Sequence, residues 1–127
     1  MVWQTARTFE PTDYAPTEAR HFVDECLSAW GLSEVTERIV LAVSELMTNA
    51  VTHGRGPIEV SLAATPDRVR VDVEDQGGGT PVMRPPDPKH RLAGGWGLQL
   101  VNALADHNWG IDTHGQRTTV WFEHRLP

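Results

Sequence analysis

Two alternating runs, IEVSLAAT and VRVDVED, stand on either side of Pro66-Asp67-Arg68, and this pair constrains the fold more than any other feature of the chain. Alternation sends successive side chains to opposite faces of a strand, so Val69, Val71 and Val73 share one face. A turn this tight joins strands only as an antiparallel hairpin. A hairpin with one apolar face is not stable alone; it needs more strands and a layer to cover that face.

The rest of the chain supplies both. VWQTARTF alternates Val2, Gln4 and Ala6 against Trp3, Thr5 and Arg7, and predicts an edge strand. Trp109 to Thr113 and TTVWFEH flank the turn HGQ and predict a second hairpin. Pro16-Thr17-Glu18 opens a first helix whose apolar face is Ala19, Phe22, Val23, Cys26, Leu27 and Trp30, and Gly31 ends it. Ser33 is the expected cap of a second helix, with Val35, Ile39, Ala42, Val43, Leu46, Met47 and Ala50 turned inward. Two glycines and a proline in HGRGP break that helix. GWGLQLVNALADH predicts a third helix with Leu98, Val101, Leu104 and Ala105 inward. The proline-rich stretch 80–94, carrying Lys89, His90 and Arg91, has no periodicity and predicts a functional lid. The expected architecture is one α+β domain spanning 1–127: a two-layer sandwich with a mixed, mainly antiparallel sheet covered on one face by helices.

The formal net charge of −6 argues against a nucleic-acid binder. A lone Cys26 in an apolar pattern reads as a small buried hydrophobe, which fits a reducing, cytoplasmic setting. The charged N-terminus is not a signal peptide, and no apolar run reaches membrane-spanning length, so no membrane partner is expected.

Three motifs bear chemistry. Glu45, Asn49 and His53 recur every four residues, each turned about 40° from the last and roughly 100° round from the core direction of the second helix. An amide oxygen suits a hydrated magnesium ion, and a carboxylate can take a proton from a nucleophile. A solvated helix face accounts for the spacing equally well. Asp75-Gln-Gly77-Gly-Gly79 ends the third strand with an acceptor and a ribbon of glycines that a ring could approach. Gly94-Gly95-Trp96-Gly97-Leu98 opens the third helix, where free amides favour an anion. It is neither a P-loop nor a dinucleotide fingerprint.

In this order, ExxxNAxxH on a helix, DxGxG after a hairpin strand, a lid and GxGL at a helix start, the motifs resemble the GHKL ATPase superfamily with its Bergerat fold, the histidine-kinase-like ATPase domain. The small size, the His53-Gly54 pair and TTVWFE resemble bacterial anti-sigma factor serine/threonine kinases of the switch-protein-kinase type. The resemblance implies ATP and Mg²⁺ as cofactors. It makes Asn49 the Mg²⁺ ligand, Glu45 the general base, and Asp75 the acceptor for the adenine amino group, with Gly77 and Gly79 beside the base. It places Gly95 and Gly97 around the phosphates, Leu98 at the helix start, His53 at the site's edge, and Thr119 on adenine through water. It implies a sigma factor and an anti-sigma factor antagonist as partners, and a homodimer. Histidine kinases often carry a lysine where this chain has Thr52, and the short lid is unlike those of the Hsp90 and topoisomerase branch. A regulatory module that binds ATP and acts by sequestration alone is the alternative, with the first helix, near Glu18 and Arg20, as its contact.

Overall fold

In the computed structural model, the described residues are 2–77, 97–105 and 108–127. The elements run β1 (Trp3–Phe9), α1 (Ala15–Ala29), α2 (Ser33–His53), β2 (Ile58–Ala64), β3 (Arg68–Asp75), α3 (Gly97–Leu104), β4 (Trp109–His114) and β5 (Arg117–Arg125). The five strands form one open sheet in the order β1-β2-β3-β5-β4.

Each neighbouring pair is antiparallel, so the mainly antiparallel sheet that the sequence predicts is antiparallel throughout among the described strands. The reason lies in the helices. A three-residue link joins α1 to α2, and so short a link makes a helical hairpin that runs out and back. The chain therefore re-enters the sheet at the end where β1 left it, and β2 must run the other way.

Alternation sorts the sheet into two faces. Val60 pairs with Val73 and Leu62 with Val71, while Val71 and Val73 pair across β5 with Phe122 and Val120; all are buried. The helices cover this inner face. On α2 the buried set is Val35, Ile39, Ala42, Val43, Leu46, Met47 and Ala50, the same seven that the helical period predicts. On α1 it is Ala15, Ala19, Phe22, Val23 and Leu27, with Cys26 half-buried against the core.

The helix ends follow local rules. Gly31 takes φ 76°, a region cheap only for glycine, and the Leu32 N–H donates to the Leu27 carbonyl at 2.8 Å, which ends α1. Ser33 does not cap α2; it is the first helical residue and Leu32 holds the cap position without a side-chain bond. Trp30 stacks on Trp3 of the edge strand, with ring centroids 6.0 Å apart and planes 13° from parallel.

The outer face carries charge and, among the described residues, no helix. The Arg70 guanidinium lies 4.4 Å from the Trp121 ring centroid and 2.9 Å from Asp72. The Trp121 indole rests over Gly110, where an added Cβ would fall 2.7 Å from Nε1. No helix among the described residues is long and apolar enough to cross a membrane.

Removing core volume should therefore cost far more than trimming the surface. Leu27→Ala, at a fully buried position, should lose about 2–5 kcal/mol, whereas Leu41→Ala, at a site 48% exposed, should stay within about 0.5 kcal/mol. Urea unfolding of the two variants checks this; equal losses would contradict the assigned faces.

Candidate functional site

The site is built where the end of α2 meets the end of β3. The alternation that buries Val69, Val71 and Val73 also turns Asp75 inward, so a carboxylate only 8% exposed closes an apolar strand. The chain then turns at once. The Gly77 N–H donates to Asp75 Oδ1 at 2.7 Å, and the Gln76 N–H donates to the Arg55 carbonyl at 2.9 Å. The Thr118 hydroxyl donates to the Gly77 carbonyl at 3.0 Å. Three bonds from three segments thus hold the loop.

Among the described residues Asp75 accepts only the bond from Gly77, which leaves its second oxygen an open acceptor. Burial raises its pKa above the ordinary carboxylate value. The Gly77 N–H opposes that rise by favouring the ionised form, and the neighbouring Glu74 charge adds to it.

Thr119 is not beside Asp75. β5 pairs Thr118 with Asp75 and Thr119 with Glu74, so Thr119 points to the outer face, where its hydroxyl donates to Glu74 Oε2 at 3.2 Å. Thr118, only 2% exposed, is the threonine on the site's face. The two threonines are one residue apart, and one residue reverses the face of a strand. Val120 and Phe122 carried the signal: if both point inward, so does Thr118.

On α2, Glu45 and Asn49 are half-buried along the border of the core stripe, while His53 is exposed as the last helical residue. Neither Glu45 nor Asn49 makes a side-chain hydrogen bond or ion pair among the described residues. Burial raises the Glu45 pKa, with no basic partner to offset it. At the helical rise, Glu45 lies about 13 Å along the axis from Gly54. The helix thus separates the Asp75 carboxylate at its end from a second carboxylate more than two turns back.

Gly97 is the first described residue of α3, with Leu98 next, and α3 packs beside α2. Gly79, Gly95 and the stretch 80–94 with Lys89, His90 and Arg91 lie outside the described residues. Gly54, which the sequence presents as a helix breaker and as part of the His53-Gly54 pair, meets Asp75 directly. An added Cβ there would stand 2.6 Å from the Asp75 Cγ.

An open antiparallel sheet, helices on one face and a buried strand-end carboxylate beside a glycine turn define a Bergerat-type nucleotide-binding domain. The model of the histidine kinase-like ATPase domain matches residues 9–123, and the chain belongs to that family. No curated protein sequence matches it. Among solved structures it is similar to the RsbU and RsbW domains of Rv1364c from Mycobacterium tuberculosis, at 26% identity and a TM-score of 0.74. The match covers 98% of this chain but 33% of that one, so this chain spans about a third of its relative.

The raised carboxylates have a thermodynamic signature. A folded-state pKa above the unfolded value favours the fold below the unfolded pKa, and that contribution is lost as pH rises through the folded pKa. Asp75→Asn keeps the acceptor for Gly77 and removes the desolvated charge. It should raise the melting temperature at pH 7, with the gain vanishing toward pH 4, while weakening nucleotide binding. A lower melting temperature at pH 7 would show that the carboxylate serves the fold.

Proposed function

We propose that the chain binds ATP with Mg²⁺ and transfers the γ-phosphoryl group to a serine or threonine of an anti-sigma factor antagonist, and that it holds a sigma factor as a homodimer. One observation carries the reading: Glu45, a half-buried carboxylate without a partner among the described residues, sits one turn before Asn49 on the helix whose end meets Asp75.

The donor set suits the ligand. The open oxygen of Asp75 would accept from the adenine amino group, and Thr118 and Gly77 would form the adjoining wall. Asn49 would give one amide oxygen to Mg²⁺, a cation that keeps waters and takes phosphate oxygens rather than a full protein cage. Among the described residues no three His, Cys, Asp or Glu side chains converge, which agrees with a metal held largely by phosphate and water. Bound Mg²⁺ would neutralise charge on the phosphates.

Glu45 would accept the hydroxyl proton of the target serine as that oxygen takes the phosphoryl group and ADP leaves. Its raised pKa brings its basicity closer to neutral, which strengthens a general base at physiological pH. The similarity to a chain with RsbU and RsbW domains supports a setting of protein partners.

A second reading, sequestration without phosphoryl transfer, draws on the outer side of α1. Tyr14 is 76% exposed beside the exposed Glu18 and Arg20, a polar and aromatic surface that a partner could cover.

Incubation with labelled ATP and candidate antagonists separates the two. Glu45→Ala should retain ATP and lose about 10²–10⁴-fold in transfer. Wild-type transfer should fall as pH drops through the raised Glu45 pKa, because only the ionised carboxylate accepts a proton. Labelled antagonist at undiminished yield from Glu45→Ala would remove the general-base role. ATP binding with no labelled protein from the wild type would favour sequestration.

A further inference from the structure

We infer that Gly54 is a positioning residue for base recognition: its bare Cα seats the end of α2 against Asp75 and aims that carboxylate's open oxygen into the site. The inference rests on the reading of Asp75 as the acceptor for the adenine amino group.

The contact is one of space, not of backbone freedom. Gly54 has φ −90° and ψ −168°, an extended conformation open to any residue. Helices that need glycine at their end need it for a left-handed φ, as Gly31 does at φ 76° with nothing within 4 Å of an added Cβ. Gly54 differs on both counts. Its added Cβ would fall 2.6 Å from Asp75 Cγ, 2.8 Å from Oδ1 and 2.6 Å from the Ala50 carbonyl oxygen. Real Cβ atoms do not approach so closely, so a methyl group must move the carboxylate, the helix end or both.

The facing surface is also glycine. A Cβ on Gly77 would fall 2.7 Å from the Gly54 Cα and 2.9 Å from the Arg55 nitrogen. Two bare backbones therefore meet with Asp75 between them, and the bond from the Gln76 N–H to the Arg55 carbonyl at 2.9 Å fastens the same junction. Among the described residues one carboxylate oxygen is held by the Gly77 N–H and the other accepts no hydrogen bond. In a site built to recognise one donor, such aim decides which base is accepted.

The test compares ATP with purine riboside triphosphate, which lacks the exocyclic amino group, on the full chain by calorimetry. Wild type should prefer ATP. Gly54→Ala should lose roughly tenfold or more of that preference, the worth of one charge-assisted bond, while its affinity for the analogue stays within about twofold. A merely structural defect would weaken both ligands alike and keep their ratio, which would overturn the inference. A second readout needs no nucleotide. The Gly77 amide resonance follows the titration of Asp75, and in Gly54→Ala its midpoint should move down as the carboxyl is pushed toward water. An unmoved midpoint would also overturn the inference. Gly77→Ala probes the same junction from the other side and should give the same two changes. If both variants fail to fold, the junction is a folding determinant and the inference falls. If wild type binds neither nucleotide, the reading of Asp75 fails, and the amide titration still decides whether Gly54 sets its position.

Discussion

Burial of one sheet face beneath a helix pair is the constraint on which the rest depends. The inner sides of β2, β3 and β5 are almost wholly apolar, and α1 and α2 supply the matching surface. That match fixes how α2 is rotated. Once its seven buried residues face the sheet, Glu45 and Asn49 can only lie at the border of the contact. Its end is placed by the same packing, against the strand end that carries Asp75. The candidate site is thus a by-product of core geometry: whatever holds the hydrophobic layer together also holds two carboxylates and an amide in one row.

The cost of that arrangement is local. Both Glu45 and Asp75 are pushed toward their neutral forms by burial, and neither has a cationic partner among the described residues. A domain selected for stability alone would place apolar or neutral groups there. Perturbed, under-satisfied carboxylates at the edge of a core mark sites where binding energy is to be recovered from a ligand. The outer face of the sheet shows the opposite treatment. Arg70, Asp72, Glu123 and Trp121 satisfy one another in the open, where ion pairs contribute little and keep the face solvated.

Much of this was legible in the sequence because periodicity is a direct image of burial. The period of two placed Val69, Val71 and Val73, and the period near four placed the α2 stripe. The errors come from places where a single residue or a through-space contact decides. The resemblance points to Thr119, whereas the strand register sets Thr118 opposite Asp75, a placement that the alternation of Val120 and Phe122 also carries. Ser33 has a capping side chain, yet the tight α1–α2 link brings Leu32 to the cap position instead. The sheet's fully antiparallel order depends on the helix pair returning to its starting end, which no local pattern states. Gly54 reads as a helix breaker along the chain, and only the approach of Asp75 and Gly77 gives it another role.

The run from α2 through β3 has a consequence for the order of assembly. It is continuous in sequence and carries Glu45, Asn49, Gly54, Asp75 and Gly77 together. The β2–β3 hairpin closes over the three residues 65–67, whereas β1 reaches β2 only after both helices have been laid down between them. Closure entropy grows with the length of chain enclosed, so the short closures come first. The half of the candidate site built from α2, β2 and β3 is therefore expected to form as an early unit, ahead of the longer closures that bring in β1 and β5, an order that pulsed hydrogen exchange would read as later protection of Trp3–Phe9 and Arg117–Arg125.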